Sequence, residues 1–386
     1  MDAVSIVFFF LQCERIHMTK DGDILLKIED VRAYHSSKEG LVKAVNGVSF
    51  EIKRGEVVGL LGESGAGKSS VALAILGLFE RQSRYYATSS KNKENRHLWK
   101  LREKARKEGK TAEEMGVELP GVEGHIWFDN LDLVNLDEND HRMLLGNRIT
   151  YIPQGTSKAL NPLLTVEHQV LEVFWTKFRD EMISNKELSM RVLEALDLVE
   201  LGDMAIRREM LPTDFSTGED QRVLLAMALI LKPDLIIADE PTTALDTAVR
   251  NKILTAIRHA SKDHEQSILM ITNDPGIITA TCDMVGVMSS GMMMEFGETK
   301  RVMNEPVHPF TQAFLMSNPT FEMMKQMRKK GERLQPIPGR PPSLIDLPIG
   351  CPFNTRCSEV QDICKVKRPE YKEVNPGHWV SCHLAR

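Results

Sequence analysis

A glycine-rich segment at 62–69 has the residue types and spacing of a phosphate-binding loop. It fits the pattern G-x-x-x-x-G-K-[ST]. Glycines let the backbone turn tightly enough to point several N–H groups at one phosphate, at the positive end of the following helix. Lys68 can reach the β- and γ-phosphates, and the Ser69 hydroxyl can bind Mg²⁺. The residues predicted to bind a nucleoside triphosphate are Gly62, Glu63, Ser64, Gly65, Ala66, Gly67, Lys68, Ser69 and Ser70.

Two adjacent acids, Asp239 and Glu240, follow the apolar run 235–238. A continuous apolar run of this kind is typical of a parallel strand buried on both faces. Catalytic groups of open α/β sheets collect at the carboxyl ends of such strands. Because two acids at this place are costly to desolvate, a purely structural role is disfavoured. We predict that Asp239 binds Mg²⁺ and that Glu240 polarises the attacking water.

Two further polar residues come at the ends of predicted strands. Gln154 follows the short apolar segment 148–153, and a glutamine at a strand end can bind a metal ion or position a water. Asn273 follows the apolar run 267–272.

The pattern of the surrounding segments predicts how these residues are held. Strands and helices alternate between residues 55 and 298, which favours a parallel α/β sheet. Helical periodicity extends from 167 to 201. The other predicted strands lie at 25–31, 44–52, 56–61 and 124–129, and a helix lies at 70–76.

Length and composition set the broad class. With 386 residues, 42% hydrophobic and 27% charged, the chain has the composition of a soluble protein of two or three domains. A net charge of -5 gives no general case for nucleic-acid binding. The apolar stretch 3–11 is far shorter than the roughly 20 residues that span a bilayer. We interpret residues 1–23 as a poorly defined segment. The start of the protein is interpreted as mis-assigned, with Met18 as the true first residue. Contact of this segment with a membrane is the less favoured interpretation.

A charged segment at about 81–120 interrupts the pattern and is interpreted as an insertion. It carries nine basic residues between positions 91 and 110. Runs of this kind are usually solvated helices or disorder. Docking against acidic lipid headgroups or a partner protein is the less favoured alternative.

The motifs together resemble those of the nucleotide-binding subunits of ATP-binding cassette (ABC) transporters. They come in the order of that family: Walker A at 62–69, the Q-loop at Gln154, a signature at 215–219, Walker B at 235–240 and the D-loop at 243–246. Tyr34 or His35 stands where the family usually places its adenine-stacking aromatic, although a surface aromatic is an equally good interpretation. The similarity covers roughly residues 24–300.

The resemblance implies an α/β fold of the P-loop NTPase type, with a parallel-sheet core, an antiparallel β subdomain and a helical subdomain at about 155–225. It also implies ATP and Mg²⁺ sandwiched between two cassettes, with Ser69, Gln154 and Asp239 around the metal. Asp246 would lie in the D-loop. The signature residues Ser216, Thr217, Gly218 and Glu219 would face a nucleotide bound by the partner cassette.

Two residues depart from the family pattern. Thr217 replaces the first glycine of the signature and adds a Cβ where backbone approaches phosphate. Asn273 occupies the position of the switch histidine. Asparagine can hydrogen-bond a γ-phosphate, but it can neither carry a positive charge nor relay a proton. We therefore predict a site that binds ATP well and hydrolyses it slowly, without being inactive.

The region 301–386 resembles the C-terminal extension of the dipeptide, oligopeptide and nickel branch of importers. The resemblance rests on the segment 307–313 and on a cysteine cluster. It implies an ATPase at the cytoplasmic face of the membrane that powers uptake of peptides or similar solutes. The implied partners are a second, homologous cassette, two integral-membrane permease subunits and, indirectly, an extracytoplasmic solute-binding protein.

The C-terminal cysteines suggest a metal site. Cys351, Cys357, Cys364 and Cys382 have the spacing C-x5-C-x6-C-x17-C. Cytosolic proteins rarely keep structural disulfides, and clustered thiols favour soft metals. A [4Fe-4S] cluster is the first interpretation, zinc the second and free buried thiols the third. A metal is expected to fold this segment, because a region rich in Pro and Gly builds little core.

Two other functional classes share parts of this pattern. A cassette ATPase outside transport usually has two cassettes in one chain or a long coiled-coil arm, and the insertion at 81–120 is too short for such an arm. A regulatory cassette beside a fully active partner would explain Thr217 and Asn273, although the intact acid pair after 235–238 argues against complete inactivity.

Overall fold

The computed structural model describes residues 24–89, 93–112, 114–155, 159–177, 185–201, 207–243, 245–331 and 333–385. The interpretation of 1–23, with its alternative start at Met18, lies outside the described residues. The same is true of Ala244 in the D-loop.

The strands of the described residues form two sheets. In chain order they are β1 (Ile24–Ser36), β2 (Leu41–Lys53), β3 (Val57–Gly62), β4 (Gly121–Phe128), β5 (Leu131–Asp132), β6 (Ile149–Ile152), β7 (Leu235–Asp239), β8 (Ser267–Thr272), β9 (Met284–Ser289), β10 (Met292–Glu298), β11 (Lys372–Asn375) and β12 (His378–Val380). The smaller sheet has the order β2-β1-β4-β5, and the larger has the order β11-β12-β10-β9-β3-β8-β7-β6.

Helices connect and cover these sheets. In chain order they are α1 (Lys68–Ile75), α2 (Leu78–Ser89), α3 (Lys93–Glu108), α4 (Glu138–Leu144), α5 (Val166–Lys177), α6 (Asn185–Leu198), α7 (Thr217–Ile230), α8 (Thr247–His264), α9 (Pro275–Thr281), α10 (Thr299–Asn304), α11 (Pro309–Ser317), α12 (Phe321–Lys330) and α13 (Asp362–Val366). None of the described helices is both long and apolar enough to cross a lipid bilayer.

The strand pairing confirms the predicted fold class. Strands β9, β3, β8, β7 and β6 pair in parallel, whereas the smaller sheet is antiparallel throughout. Five parallel strands joined by helical crossovers form an α/β core. The antiparallel sheet is the β subdomain that the resemblance implies.

The parallel strands are apolar along their whole length because both faces of the sheet are covered. In β7 all five residues are buried. Ile236 and Ala238 pack into the core on one face. Leu235 and Ile237 pack into a second core on the other face, together with the antiparallel sheet and α1. Alternate residues of one strand therefore pack into two different cores. This packing explains why the strand is hydrophobic at every position.

The charged insertion is helical and anchored to the antiparallel sheet. The Ser83 hydroxyl in α2 donates to the Tyr34 carbonyl at 3.2 Å. The Arg102 guanidinium in α3 donates to the Val122 carbonyl and pairs with Glu123 at 2.8 Å. Of the two alternatives, solvated helices and disorder, the described part of this segment forms helices, and one edge of the helix pair is fixed by buried polar contacts.

The C-terminal region extends the main sheet and shares its core. Strand β12 pairs antiparallel with β10 through Glu295–Val380 and Phe296–Trp379. Phe310 and Phe353 are 0% and 2% exposed and belong to the core on one face of the sheet. The expectation that this segment builds little core without a metal is therefore wrong. Aromatic side chains spread along the region supply the buried surface that local composition does not reveal.

Arg148 joins the two sheets, and its removal is expected to destabilise the fold. Its Nε pairs with Asp234 at 2.5 Å and its NH2 group with Asp129 at 2.6 Å. Its guanidinium also lies 5.0 Å from the centre of the Phe128 ring. We expect Arg148→Ala to lower the free energy of unfolding by about 2 kcal/mol, since two half-buried carboxylates lose a shared partner.

Urea unfolding of both variants measures this effect against a matched control. Arg142 pairs with Glu138 at 3.0 Å, but both side chains are about two-thirds exposed. Arg142→Ala is therefore expected to change stability by less than about 0.5 kcal/mol. Equal losses in the two variants would contradict a joining role for Arg148.

Candidate nucleotide-binding site

The loop between β3 and α1 has a backbone that only glycine can adopt at two positions. Gly62 has φ 154° and Gly67 has φ 98°. A Cβ at either glycine would lie 2.1 Å from a backbone carbonyl oxygen, that of Met288 or Ala44 respectively. Ser64 and Gly65 at the tip are exposed, whereas Ala66 is buried. The loop therefore folds tightly over the start of α1, whose first N–H groups lack helical partners.

Lys68 lies folded along this loop. Its side chain is buried, and its ammonium group donates to the carbonyls of Gly62 at 2.8 Å and Glu63 at 2.9 Å. Burial lowers the pKa of Lys68, and the charges of Glu240 and Asp239 oppose that shift. Because an ammonium group has three N–H donors, one remains available for a phosphate oxygen.

The strand order brings the predicted polar residues to one edge. Strands β3, β8, β7 and β6 are neighbours in that sequence and run parallel. The carboxyl edge of the sheet is consequently shared by the loop after β3, Asn273 after β8, the acid pair at the end of β7 and Gln154 after β6. Gln154 and Asn273 are exposed there. Asn273 lines a cavity of about 450 Å³ together with Glu63 and Ser64.

Asp239 has the environment of a metal ligand. It is 1% exposed, and its Oδ1 atom has no hydrogen-bond partner among the described residues. Its Oδ2 accepts a hydrogen bond from the Tyr151 hydroxyl at 3.4 Å. Burial raises the pKa of Asp239, whereas the Ser69 hydroxyl is near enough to this carboxylate to favour its charged form and oppose that rise. An unsatisfied buried carboxylate oxygen beside a hydroxyl fits the oxygen ligands that Mg²⁺ prefers.

Glu240 is held by its backbone and by Thr243. It has the left-handed φ of 50°, and its N–H donates to the Ile271 carbonyl of β8 at 2.8 Å. The Thr243 hydroxyl is 3.1 Å from Glu240 Oε2, and the Gln221 amide donates to the Glu240 carbonyl at 3.1 Å. A strained backbone held by three contacts aims this carboxylate in a defined direction.

The two aromatic candidates differ in accessibility. Tyr34 is 8% exposed, and its hydroxyl donates to Asn46 Oδ1 at 2.7 Å. Its burial excludes it as a residue that stacks on a base, because stacking requires an exposed ring face. His35 is half-buried, and its ring packs edge-on against Phe79 at 5.9 Å between centroids. His35 is therefore the remaining candidate.

The signature segment begins α7. Ser216 is the N-cap residue and forms a capping box with Glu219. The hydrogen bond from Arg207 to Glu219 lowers the pKa of Glu219 to about 2. Ser216 and Thr217 are exposed, and Gly218 is half-exposed. The Ser216 N–H and hydroxyl both donate to Glu219 Oε2. The first turn of α7 is nevertheless at the surface, and the positive end of a helix suits an anion bound from outside.

The D-loop residue Asp246 caps α8. Its carboxylate accepts hydrogen bonds from the N–H groups of Ala248 at 3.0 Å and Val249 at 3.1 Å. A capping role of this kind fixes the chain just after the Walker B strand.

The four C-terminal cysteines line one narrow cavity, together with His308 and Phe353. All four are free thiols, and burial raises the pKa of Cys351 to about 11. In the described part of the chain, no group of three or more His, Cys, Asp or Glu side chains has an arrangement that could hold a metal ion. Thiols are the donors that soft metals prefer, but the described cysteines are not arranged as a metal site.

Two contacts to the site were not predicted from the sequence. Tyr151 was assigned only to a strand, yet its hydroxyl reaches Asp239. Arg356 forms an ion pair with Glu63 of the phosphate loop at 2.7 Å, across 293 positions of the chain. The position of Tyr151 in a short strand is only a weak indication that it reaches the site. No pattern in the sequence indicates that Arg356 contacts the phosphate loop.

The fold and the site define a P-loop NTPase with the strand arrangement of an ATP-binding cassette. The family model described as ABC transporter matches residues 45–114 and 112–243, and the model described as oligopeptide/dipeptide transporter, C-terminal region, matches 294–364. The chain belongs to the ABC transporter family, with this C-terminal region. Proteins of this family bind ATP with Mg²⁺ and hydrolyse it.

Similar proteins support the assignment over nearly the whole length. The oligopeptide transport ATP-binding protein OppD of Escherichia coli K12 is 33% identical over 94% of both chains. The dipeptide transport ATP-binding protein DppD of Bacillus subtilis 168 is 33% identical over 93% of this chain and 94% of its own. A dimeric, post-hydrolysis structure of the cassette MJ0796 with ADP and Pi has a TM-score of 0.55 at 23% identity. It covers 71% of this chain and 98% of that chain.

Proposed function

We propose that this chain is the ATP-hydrolysing subunit of a peptide-type importer, positioned at the cytoplasmic face of the membrane. The observation that carries the proposal is a complete phosphate loop and acid pair in one chain with an oligopeptide/dipeptide transporter C-terminal region. Relatives named for oligopeptide and dipeptide transport support peptides or similar small solutes as the cargo.

The residues at the carboxyl edge of the sheet would have different roles in ATP binding and hydrolysis. Lys68 and the N–H groups of loop 62–69 bind the phosphates. Ser69, Asp239 and Gln154 would hold Mg²⁺, which neutralises charge on the phosphate oxygens. Glu240 accepts a hydrogen bond from the attacking water and takes its proton as the new P–O bond forms at the γ-phosphorus. The bond from the γ-phosphorus to the β,γ-bridging oxygen breaks in the same step, so that ADP leaves and phosphate is released.

The exposed signature supports a two-cassette arrangement. Ser216 and Gly218 stand at the start of α7, whose positive end would face a nucleotide bound to another cassette. The Ser216 hydroxyl, which donates to Glu219 Oε2 at 2.8 Å, would turn to the phosphate when that nucleotide is bound. The proposed partner is a second, different cassette, and two permease subunits complete the membrane complex. A solute-binding protein outside the membrane would deliver the cargo.

A second candidate function is a weakly hydrolytic, regulatory cassette beside an active partner. Two observations favour it. Asn273 lines the cavity beside the phosphate loop, and its amide side chain cannot ionise. Thr217 places a side chain at the first position of α7, where the family pattern has glycine.

Reconstitution tests the transport proposal. The chain would be co-expressed with two permease subunits and a second cassette of the same family, and the complex placed in proteoliposomes. We expect ATP-dependent uptake of labelled di- and oligopeptides, lost in Lys68→Ala. Purification without any membrane subunit would contradict the transport role, and full uptake with Lys68→Ala would favour the regulatory alternative.

We also propose that the four C-terminal thiols bind a [4Fe-4S] cluster. Support comes from the donor set, since four cysteines around one cavity match the ligands of such clusters. Cys351, Cys357, Cys364 and Cys382 would be the ligands. Zinc is the second choice.

Metal analysis of anaerobically purified protein tests this proposal. We expect about four iron and four sulfide per chain, and a loss of both in Cys364→Ser. Cys282→Ser is the matched control, because Cys282 is also a buried free thiol but lies in the cassette. Zinc without sulfide, or no metal in the wild type, would contradict the cluster.

A further inference from the structure

An ion pair connects the C-terminal region to the phosphate loop. The Arg356 guanidinium donates to both carboxylate oxygens of Glu63, at 2.9 Å and 2.7 Å. The side chains are 3% and 20% exposed. A third donor, Nε, bonds to the Pro338 carbonyl at 3.0 Å. This two-point geometry is the strongest form of an arginine–carboxylate pair, and it is largely shielded from water.

Glu63 is a structural part of the phosphate loop. Its carbonyl accepts hydrogen bonds from the Lys68 ammonium at 2.9 Å and from the Ala66 N–H at 3.2 Å. Its carboxylate is also close enough to act electrostatically on Lys68. A movement of Glu63 would therefore move the lysine and the loop. Without a cationic partner, its charge would repel a bound polyphosphate.

The C-terminal region determines where the Arg356 guanidinium lies. The Arg356 N–H donates to the Phe353 carbonyl at 3.0 Å, and the guanidinium lies 5.7 Å from the centre of the Phe353 ring. Phe353 is 2% exposed in the core, and Cys357 follows Arg356 directly. The turn that carries two of the cavity cysteines thus also orients the arginine.

We propose that Arg356 is a positioning residue of the nucleotide site, through which the C-terminal region sets the affinity for ATP. The inference rests on the proposed ATP site and deepens it. Arg356 neutralises Glu63 and holds the loop in the shape that binds phosphate. The C-terminal region is in this respect a part of the nucleotide site.

Binding of Mg-ATP to the full-length chain tests this role. We expect Arg356→Ala to raise the Kd for Mg-ATP about 10-fold, since it leaves a carboxylate unpaired beside the phosphates. Turnover at saturating ATP should change less, because Arg356 does not reach the reacting atoms. Arg356→Lys keeps the charge but loses the two-point geometry, and it should give an intermediate Kd.

A second substitution separates electrostatics from folding. Glu63→Gln combined with Arg356→Ala removes the unpaired charge, and we expect it to restore the Kd to within about 3-fold of wild type. If Arg356 served only to fold the C-terminal region, the double variant would bind as weakly as Arg356→Ala. Arg340→Ala is the matched control, because Arg340 is exposed in the same region.

The outcomes distinguish this role from the proposed function. Equal affinity in Arg356→Ala and Arg340→Ala, or a failure of Glu63→Gln to restore binding, would overturn the positioning role alone. If the wild-type chain itself did not bind Mg-ATP, the proposed function would fall, and the positioning role with it.

Discussion

Replacing Glu240 with glutamine is expected to lower ATP hydrolysis by about 10²–10⁴-fold, the usual contribution of a positioned general base. Binding of Mg-ATP should persist. Glutamine has the same shape, and its side-chain oxygen can still accept the hydrogen bond that Thr243 donates to Oε2 at 3.1 Å. The backbone at φ 50° and its bond to Ile271 do not involve the side chain. Only the ability to take a proton is removed.

Single-turnover hydrolysis in the assembled complex, together with nucleotide binding, measures this effect. Glu265 is a matched control, because it is exposed and has a similar left-handed φ of 53° at the end of α8. Glu265→Gln should leave hydrolysis unchanged. If Glu240→Gln retained more than about a tenth of the wild-type rate, Glu240 would not be the general base.

Replacing Asn273 with histidine is expected to raise turnover about 10-fold. This increase is a fraction of the rate enhancement that a positioned acid–base group usually provides. Asn273 is exposed at the end of β8 and lines the cavity of about 450 Å³ that the phosphate loop also borders, so a larger ring fits. Asparagine can donate a hydrogen bond to a γ-phosphate but stays neutral. Asn273→Ala removes that bond and should lower turnover further.

The pH profile of hydrolysis is the decisive measurement for this substitution. A histidine at 273 should add a dependence near pH 6.5 that the wild-type chain lacks. Asn318→His is a useful control, since Asn318 lines the same cavity from the C-terminal side. A wild-type rate that changes with neither Asn273→His nor Asn273→Ala would contradict slow turnover caused by Asn273.

Local patterns predicted the elements that hold the site. The apolar runs at 235–238 and 267–272 are strands β7 and β8, because a strand buried on both faces needs apolar residues at every position. The phosphate loop was predictable for a similar reason, since close backbone approaches at Gly62 and Gly67 admit only glycine. In both cases the fold restricts the types of residues that are adjacent in the sequence, and such a local restriction can be recognised from the sequence.

Contacts between distant parts of the chain were not predictable. Tyr34 was a stacking candidate by position, but its side chain is only 8% exposed and its hydroxyl donates to Asn46 Oδ1 of β2. The pairing of Arg356 with Glu63 spans 293 positions. The core contribution of Phe310 and Phe353 likewise depends on where the chain returns to the sheet. The periodicity of hydrophobic residues along the sequence does not indicate which distant segments pack against each other.

The pairing of β12 with β10 has a consequence for how the protein is made. Strand β10 ends at Glu298, and its partner at His378–Val380 follows about eighty positions later. During synthesis, one side of β10 consequently stays without its hydrogen-bonding neighbour until about eighty further residues have left the ribosome. Unpaired strand edges invite association with other chains. The nascent ATPase therefore passes through a stage at which a chaperone has a defined place to bind.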